Sequence, residues 1–375
     1  MILCDHGPGG QAALFDGPRE LVVAQDAAEV MPALARLDRA RAEGAWAAGW
    51  IAYEAGHAME PRLAPLMPQA RDGPLLAFGL YDGPQAAPPL PAGDVQIDPL
   101  RPLVPQADYA AAFGRVQDYI AAGDCYQVNL TFPLETRLLA GTALDLHAAL
   151  QARQPVGFGA FVDFGQGWAV VSRSPELFFR LDAAGRIEAR PMKGTAPRDP
   201  DPVRDAALAA GLAASEKNQA ENLMIVDLLR NDLSRLSRVG SVRVPELFAV
   251  ETYPTVHQMT SHIVAELAAP AGMATLMPAL FPCGSVTGAP KIRAMEIIRE
   301  VEPFPRGVYC GAIGWMAPDG AAAFSVAIRT AWVRGDRVVL NVGGGVVQDS
   351  TAPGEWEEAL WKARFMQGLT IPDCG

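Results

Sequence analysis

The run Arg190-Pro191-Met192-Lys193-Gly194-Thr195-Ala196-Pro197-Arg198 sets a lysine between two prolines and two arginines, beside a Gly-Thr corner. The prolines fix φ on either side and stiffen the backbone that carries Lys193. Burial, or the guanidiniums of Arg190 and Arg198 close by in space, would disfavour the charged amine, and a lysine of lowered pKa is a usable nucleophile. For such a segment alone a basic surface turn is the simpler reading. Its standing depends on the other chemistry-bearing residues of the chain.

Several carboxylates are spaced to act together. Glu176 ends Ser172-Arg173-Ser174-Pro175-Glu176, a turn that precedes a hairpin of strands 177–181 and 186–190. Lys193 follows the same hairpin, so the two side chains can meet at one end of a sheet. Glu355 and Glu358 are three apart and leave one helix face, with Lys362 four residues further on. Acids in a first helical turn complement the macrodipole, and Glu358–Lys362 is an ordinary i, i+4 pair, so that cluster also has a purely structural reading. The functional reading is a magnesium site that shares Glu358 with Glu221 of another helix, where Asn218 lies one turn away. Oxygen-only ligands from few protein donors suit Mg²⁺ better than zinc. Arg329 is a charge inside an apolar strand, which calls for a partner carboxylate from protein or substrate. Tyr309 is either core packing or a hydroxyl aimed at the same anion. Residues 281–291, with Gly284, Ser285 and Gly288, form a glycine-rich turn opening a helix, a weak anion-site signal without P-loop spacing. Gly343-Gly344-Gly345 lets backbone approach a ligand closely.

The elements that must position these groups are short apolar strands between a few longer helices, which predicts an α+β fold. Helices are expected over 27–45, 106–122, 203–236, 289–300 and from about residue 350. In the second half of 203–236, Leu223, Val226, Leu229 and Leu233 are expected to form the apolar face. Strands are expected at 125–132, 157–164, 168–172, 241–250, 256–267, 307–317, 322–333 and 337–343. The Pro/Gly-rich stretch 83–104 reads as a surface linker between an N-terminal subdomain, 1–82, and a main domain, 105–375. Half the residues are hydrophobic, enough for a core and against disorder. The 31 basic and 42 acidic residues give a net charge of −11 with no basic run, which argues against nucleic-acid binding. Cys4, Cys125, Cys283, Cys310 and Cys374 contain no Cys-x-x-Cys and read as reduced thiols. With neither a leader pattern nor an apolar run of membrane length, the expectation is a soluble, cytoplasmic protein.

Five of these segments, in this order, resemble the chorismate-utilising enzyme family: the Lys193 run, 220–233, 283–296, 306–311 and 343–362. The resemblance covers roughly 105–370. It implies two large antiparallel sheets packed as a sandwich, flanking helices, and an active site in a cleft. The anthranilate-forming branch has alanine at the position of Lys193, whereas lysine marks the branch that converts chorismate to 4-amino-4-deoxychorismate, on the way to 4-aminobenzoate and folate. The implied roles follow. Lys193 attacks the ring, and Glu176 handles the proton of the leaving hydroxyl. Glu221, Glu358 and Glu355 hold Mg²⁺. Arg329 and Tyr309 hold the ring carboxylate. Lys362 with backbone N–H groups at Gly344 and Gly345 holds the enolpyruvyl carboxylate, and Gly194, Thr195 and Ser285 line the pocket. Lacking a glutaminase signature, the chain would take ammonia from a separate glutamine amidotransferase. The rivals are an anthranilate synthase subunit and a non-catalytic chorismate-binding subunit. Three positions depart from the family pattern: Asn218 replaces an acid, Gln258 a histidine, and Gln127 the lysine base of the isochorismate-forming relatives. Gln127 argues against water as the nucleophile, and the short N-terminal segment makes a regulatory tryptophan pocket doubtful.

Overall fold

The computed structural model describes residues 1–90, 93–253 and 256–369. Among them the strands form an eleven-stranded and a ten-stranded sheet, every pairing antiparallel, so the expected α+β, two-sheet fold is met. In the first sheet the central strands are Gln127–Ala140, Arg337–Val346, Thr330–Arg334, Ala169–Ser174 and Phe158–Asp163. In the second, Met192–Pro197, Val256–Glu266, Arg186–Arg190, Leu177–Leu181 and Ala322–Val326 lead on to Ala312–Met316, Trp46–Ile51 and Leu76–Tyr81. Segment 1–82 supplies strands to both sheets, and Gln85–Ala86 of the Pro/Gly-rich stretch pairs at an edge.

Alternate residues of one strand pack in different places. Trp50 and Tyr81 lie with Ile2, Phe15 and Val162 of the other sheet, the interior of the sandwich. Ile51, Phe78 and Leu80 face outward and pack with Val30, Leu34 and Leu37 of the helix Ala27–Ala42. Both faces of this sheet are thus covered, which is why its strands read as continuous apolar runs.

Two neighbouring corners carry the chain between the sheets. Ala169–Ser174 ends in the first sheet, and after Pro175 and Glu176 the chain continues in the second as Leu177–Leu181. Antiparallel to it, Ala322–Val326 leaves the second sheet and returns to the first as Thr330–Arg334. The corners are tied by Val326 N–H to Glu176 O (3.1 Å) and Arg173 N–H to Arg329 O (3.0 Å). The expected single strand over 322–333 is therefore two, and Arg329 occupies the bend between them with φ of 49°. The expected helix over 203–236 is likewise two, Pro202–Ala213 and Glu216–Ser234, because Ser215 caps the second by accepting from Asn218 N–H. Leu223, expected on the apolar face, is 43% exposed, and Ile225, Val226, Leu229 and Leu233 are the buried set. The expected strand over 307–317 shortens to Ala312–Met316.

Candidate active site

Lys193 lies in an edge strand rather than a loop. Met192–Pro197 pairs with Val256–Glu266, and between the pairs Met192↔Thr260 and Thr195↔Gln258 it carries one extra residue. This bulge, with Gly194 at φ of 86°, re-aims the backbone at Lys193. Gln258 brackets it, donating to Gly194 O (2.8 Å) and accepting from the Thr195 hydroxyl (2.9 Å). A Cβ on Gly194 would stand 2.8 Å from Asn218 Oδ1, so glycine is required for both conformation and space. His257 points elsewhere, to Asp205 (2.9 Å) and Thr252 (3.0 Å).

The helix Glu216–Ser234 lays Asn218 and Glu221 along one side of a cavity of about 680 Å³. The helix Ala352–Lys362 supplies Glu355, Glu358 and Lys362 to another side. The two corners contribute Glu176 and Arg329, and Ser285 and Tyr309 complete the wall with Gly343, Gly344 and Gly345. Every site residue expected from the sequence, Gly194 and Thr195 included, lines this one cavity.

The glycines make room for side chains. A Cβ on Gly345 would lie 2.7 Å from Lys193 Nζ and 2.8 Å from the carboxamide carbon of Gln127; one on Gly344 would lie 2.6 Å from Glu355 Oε2. Any larger residue at either position would displace the amine or the carboxylate.

Burial holds the Lys193 amine below the ordinary lysine range, and Lys362 adds to this against the opposing pull of Glu221, Glu176 and Glu358. The guanidiniums expected to contribute do not: Arg198 pairs with Asp205 (2.9 Å) and Arg190 leans toward Glu246 (3.5 Å). No hydrogen bond or ion pair among the described residues engages Lys193 Nζ. Glu176, 4% exposed, is pushed by burial up to about 7, with Ser285 and Lys193 pulling the other way. Its Oε1 is buried without a partner. A carboxyl raised by burial to about 7 and an amine of lowered basicity thus share one site, a pairing suited to general-acid and nucleophilic chemistry.

Arg329 has no side-chain partner among the described residues, and burial lowers its pKa. The carboxylate partner expected for this half-buried arginine is absent among the described residues. Burial raises Tyr309 well above the usual tyrosine range, so its hydroxyl stays neutral. Lys362, by contrast, is already engaged by Gly343 O (2.8 Å) and Glu358 Oε1 (2.8 Å). Burial and the charge of Glu358 raise Glu355, against a hydrogen bond from Ser350 (2.7 Å). Lys362 lowers Glu358. Among the described residues no group of three or more His, Cys, Asp or Glu side chains stands close enough to hold a metal unaided.

The sequence reading assigned no role to Ser350 or Lys217, and Gln258 entered it only as a replacement. Ser350 announces itself as a hydroxyl five residues before Glu355, Lys217 as a cation one turn before Glu221. The four described cysteines are free and buried, and Cys374 lies outside the described residues. No described helix is long and apolar enough to cross a membrane.

The chorismate binding enzyme family matches residues 2–368. Aminodeoxychorismate synthase of Streptomyces griseus is 49% identical over 250 residues, 66% of this chain and 34% of that protein. Aminodeoxychorismate synthase component 1 of Klebsiella aerogenes is 42% identical over 290 residues, 75% of this chain and 64% of that protein. The chain therefore spans between 34% and 64% of the length of these curated relatives. The solved anthranilate synthase component I of Streptococcus pneumoniae TIGR4 superposes with a TM-score of 0.81 at 25% identity, covering 94% of this chain and 91% of that one. With its sequence matched almost end to end and its two-sheet fold shared by a solved relative, the chain belongs to the chorismate-binding enzyme family.

Proposed function

We propose that the chain aminates chorismate to 4-amino-4-deoxychorismate, with Lys193 as a transient covalent group. One observation carries this reading: an unpaired amine of lowered basicity shares a cavity with a carboxyl of pKa about 7 whose Oε1 is unpartnered. The names of the relatives support the same reaction.

Lys193 Nζ attacks ring carbon 2, the ring double bonds shift, and the bond from carbon 4 to its hydroxyl breaks. Glu176 donates its proton to the departing hydroxyl, which leaves as water. Ammonia then bonds to carbon 4, the double bonds return, and the bond to Lys193 breaks with its electron pair going to nitrogen. The new ammonium gives a proton back to Glu176. Arg329 and the Tyr309 hydroxyl orient the ring carboxylate. Gln258 holds the bulge that aims Lys193, and Ser350 steadies Glu355. A Mg²⁺ ion would be held by Glu221 and Glu358, with Glu355 beside them. It fits because Glu355 and Glu358 repel across a short distance and because Mg²⁺ needs few protein ligands beyond water and substrate oxygens. When bound, it neutralises carboxylate charge. Ammonia would come from a separate glutamine amidotransferase, in keeping with the "component 1" of the relatives' names.

Mass spectrometry of products from purified protein, chorismate, Mg²⁺ and ammonium at alkaline pH tests the reading, beside Lys193→Ala. Aminodeoxychorismate is expected from the parent protein, and the variant should lose at least about 10³-fold in rate. Anthranilate as the product would move the chain to the rival branch and make Lys193 incidental. Bound but unconverted chorismate, even with an amidotransferase added, would mark a binding subunit.

A further inference from the structure

Anionic substrate must reach this cavity against a net charge of −11. Three of the cations lining the cavity are poor first contacts. Lys193 and Arg329 are half-buried in the wall, and Lys362 is held by Gly343 O and Glu358. The fourth, Lys217, is exposed and also lines the cavity. It opens the helix Glu216–Ser234 one turn before Glu221. In an ordinary helix Glu221 would be its i, i+4 partner, yet that carboxylate acts on Lys193 and forms no ion pair with Lys217. What Lys217 does contribute acts through space, toward Glu358 across the cavity. Its ammonium is therefore an exposed positive charge with no ion-pair partner among the described residues, in the same cavity as the half-buried, unpartnered guanidinium of Arg329.

We propose that Lys217 is an entry residue that draws the carboxylates of the substrate to the cavity before Arg329 and Tyr309 take hold. This rests on the chorismate reading above. It makes Lys217 a positioning residue, acting on capture rather than on bond making. A charge in this role works through solvent over several ångströms, so its effect belongs to the association rate and is screened by salt. A helix charge that merely keeps the surface solvated would alter neither.

The test is the rate at which chorismate binds the Mg²⁺-loaded protein, followed by stopped-flow tryptophan fluorescence, to which Trp361 in the cavity wall contributes. Lys217→Gln is expected to slow association about two- to fivefold at an ionic strength of about 20 mM, with the gap closing by about 300 mM. Dissociation should be unchanged, Lys217→Arg should match the parent, and Lys217→Glu should be slower than Lys217→Gln. Apparent Mg²⁺ affinity should hold or tighten in Lys217→Gln, whereas loss of a metal-supporting residue would weaken it. Equal association rates for Lys217→Gln and parent at low salt would overturn the proposal. So would a deficit that persists at high salt or sits in dissociation. If the parent protein fails to bind chorismate, the substrate reading falls and takes this inference with it; if it binds and only the Lys217 effects are missing, this inference alone falls.

Discussion

Arg306 and Arg329 stand on either side of Tyr309 in sequence, and the protein treats them in opposite ways. Arg306 is buried with every nitrogen of its guanidinium engaged: Glu302 takes Nη2 (2.7 Å) and Nε (2.9 Å), Asn129 O accepts from Nη2 (2.6 Å), and Val286 O accepts from Nη1 (3.0 Å). The group also lies over the ring of Tyr53, 4.5 Å from its centroid. Arg329 has no such partner and a left-handed backbone. Where the protein answers every nitrogen of a buried guanidinium, the cation is architecture. Where it answers none, the cation is free to take a ligand, as proposed for Arg329. Removing Arg306 is the harshest test of this contrast. Arg306→Leu leaves the Glu302 carboxyl buried against Thr131 without its guanidinium partner, and the cost should be about 3–5 kcal/mol. Urea unfolding measures it. A loss below about 1 kcal/mol would mean that the network is not architectural.

The same contrast holds between two buried carboxyls. Glu54, raised by burial to about 6, accepts backbone N–H groups at both oxygens, from Arg306 (2.6 Å) and Gly307 (3.0 Å). It pins the loop that leads to Tyr309. Glu176, raised to about 7, leaves Oε1 open. Because the folded pKa of Glu176 lies above its unfolded value of 4.5, folding favours the protonated form. Its contribution to stability is fully present below pH 4.5 and is lost as the pH rises through about 7. Glu176→Gln carries no such loss. Relative to the parent, the variant should therefore gain stability between about pH 5 and pH 8, by on the order of 3 kcal/mol at most, while losing turnover. Unfolding curves at the two pH values check this. A stability difference that does not change with pH would mean that Glu176 is ionised throughout.

Much of the site was legible in the sequence because its residues are unusual where they stand: a lysine between prolines, paired acids on one helix face, an arginine among apolar residues. The elements that aim them were less so. Residues 322–333 read as one strand because the strands on both sides of the corner are buried, so composition does not change where the chain leaves one sheet for the other. The bulge at Lys193 depends on Gln258, 65 positions away, and no local pattern signals it. Gly344 and Gly345 read as backbone open to a ligand, but the space they leave is taken by Glu355 and Lys193. The break before Ser215 could have been read from its N-cap preference, had Asn218 not stood where a capping-box Glu would have announced it.

Arg329 supplies the gentlest probe, because the contrast with Arg306 predicts a binding defect without a folding defect. An anion held by a guanidinium and a neutral phenol gains about 1.5–3 kcal/mol from the charged hydrogen bonds. Arg329→Ala should therefore weaken chorismate binding by roughly 30-fold. Stability should stay within about 0.5 kcal/mol of the parent, since no protein partner is orphaned and alanine meets the same left-handed backbone. Arg329→Gly sharpens the test, since relief at φ of 49° should add about 1 kcal/mol of stability with the same loss of binding. Isothermal titration with chorismate and Mg²⁺, beside urea unfolding of each variant, reads both quantities. If Arg329→Ala unfolded as readily as Arg306→Leu, the two guanidiniums would be doing the same job, and the corner between the sheets would be holding the fold rather than a carboxylate.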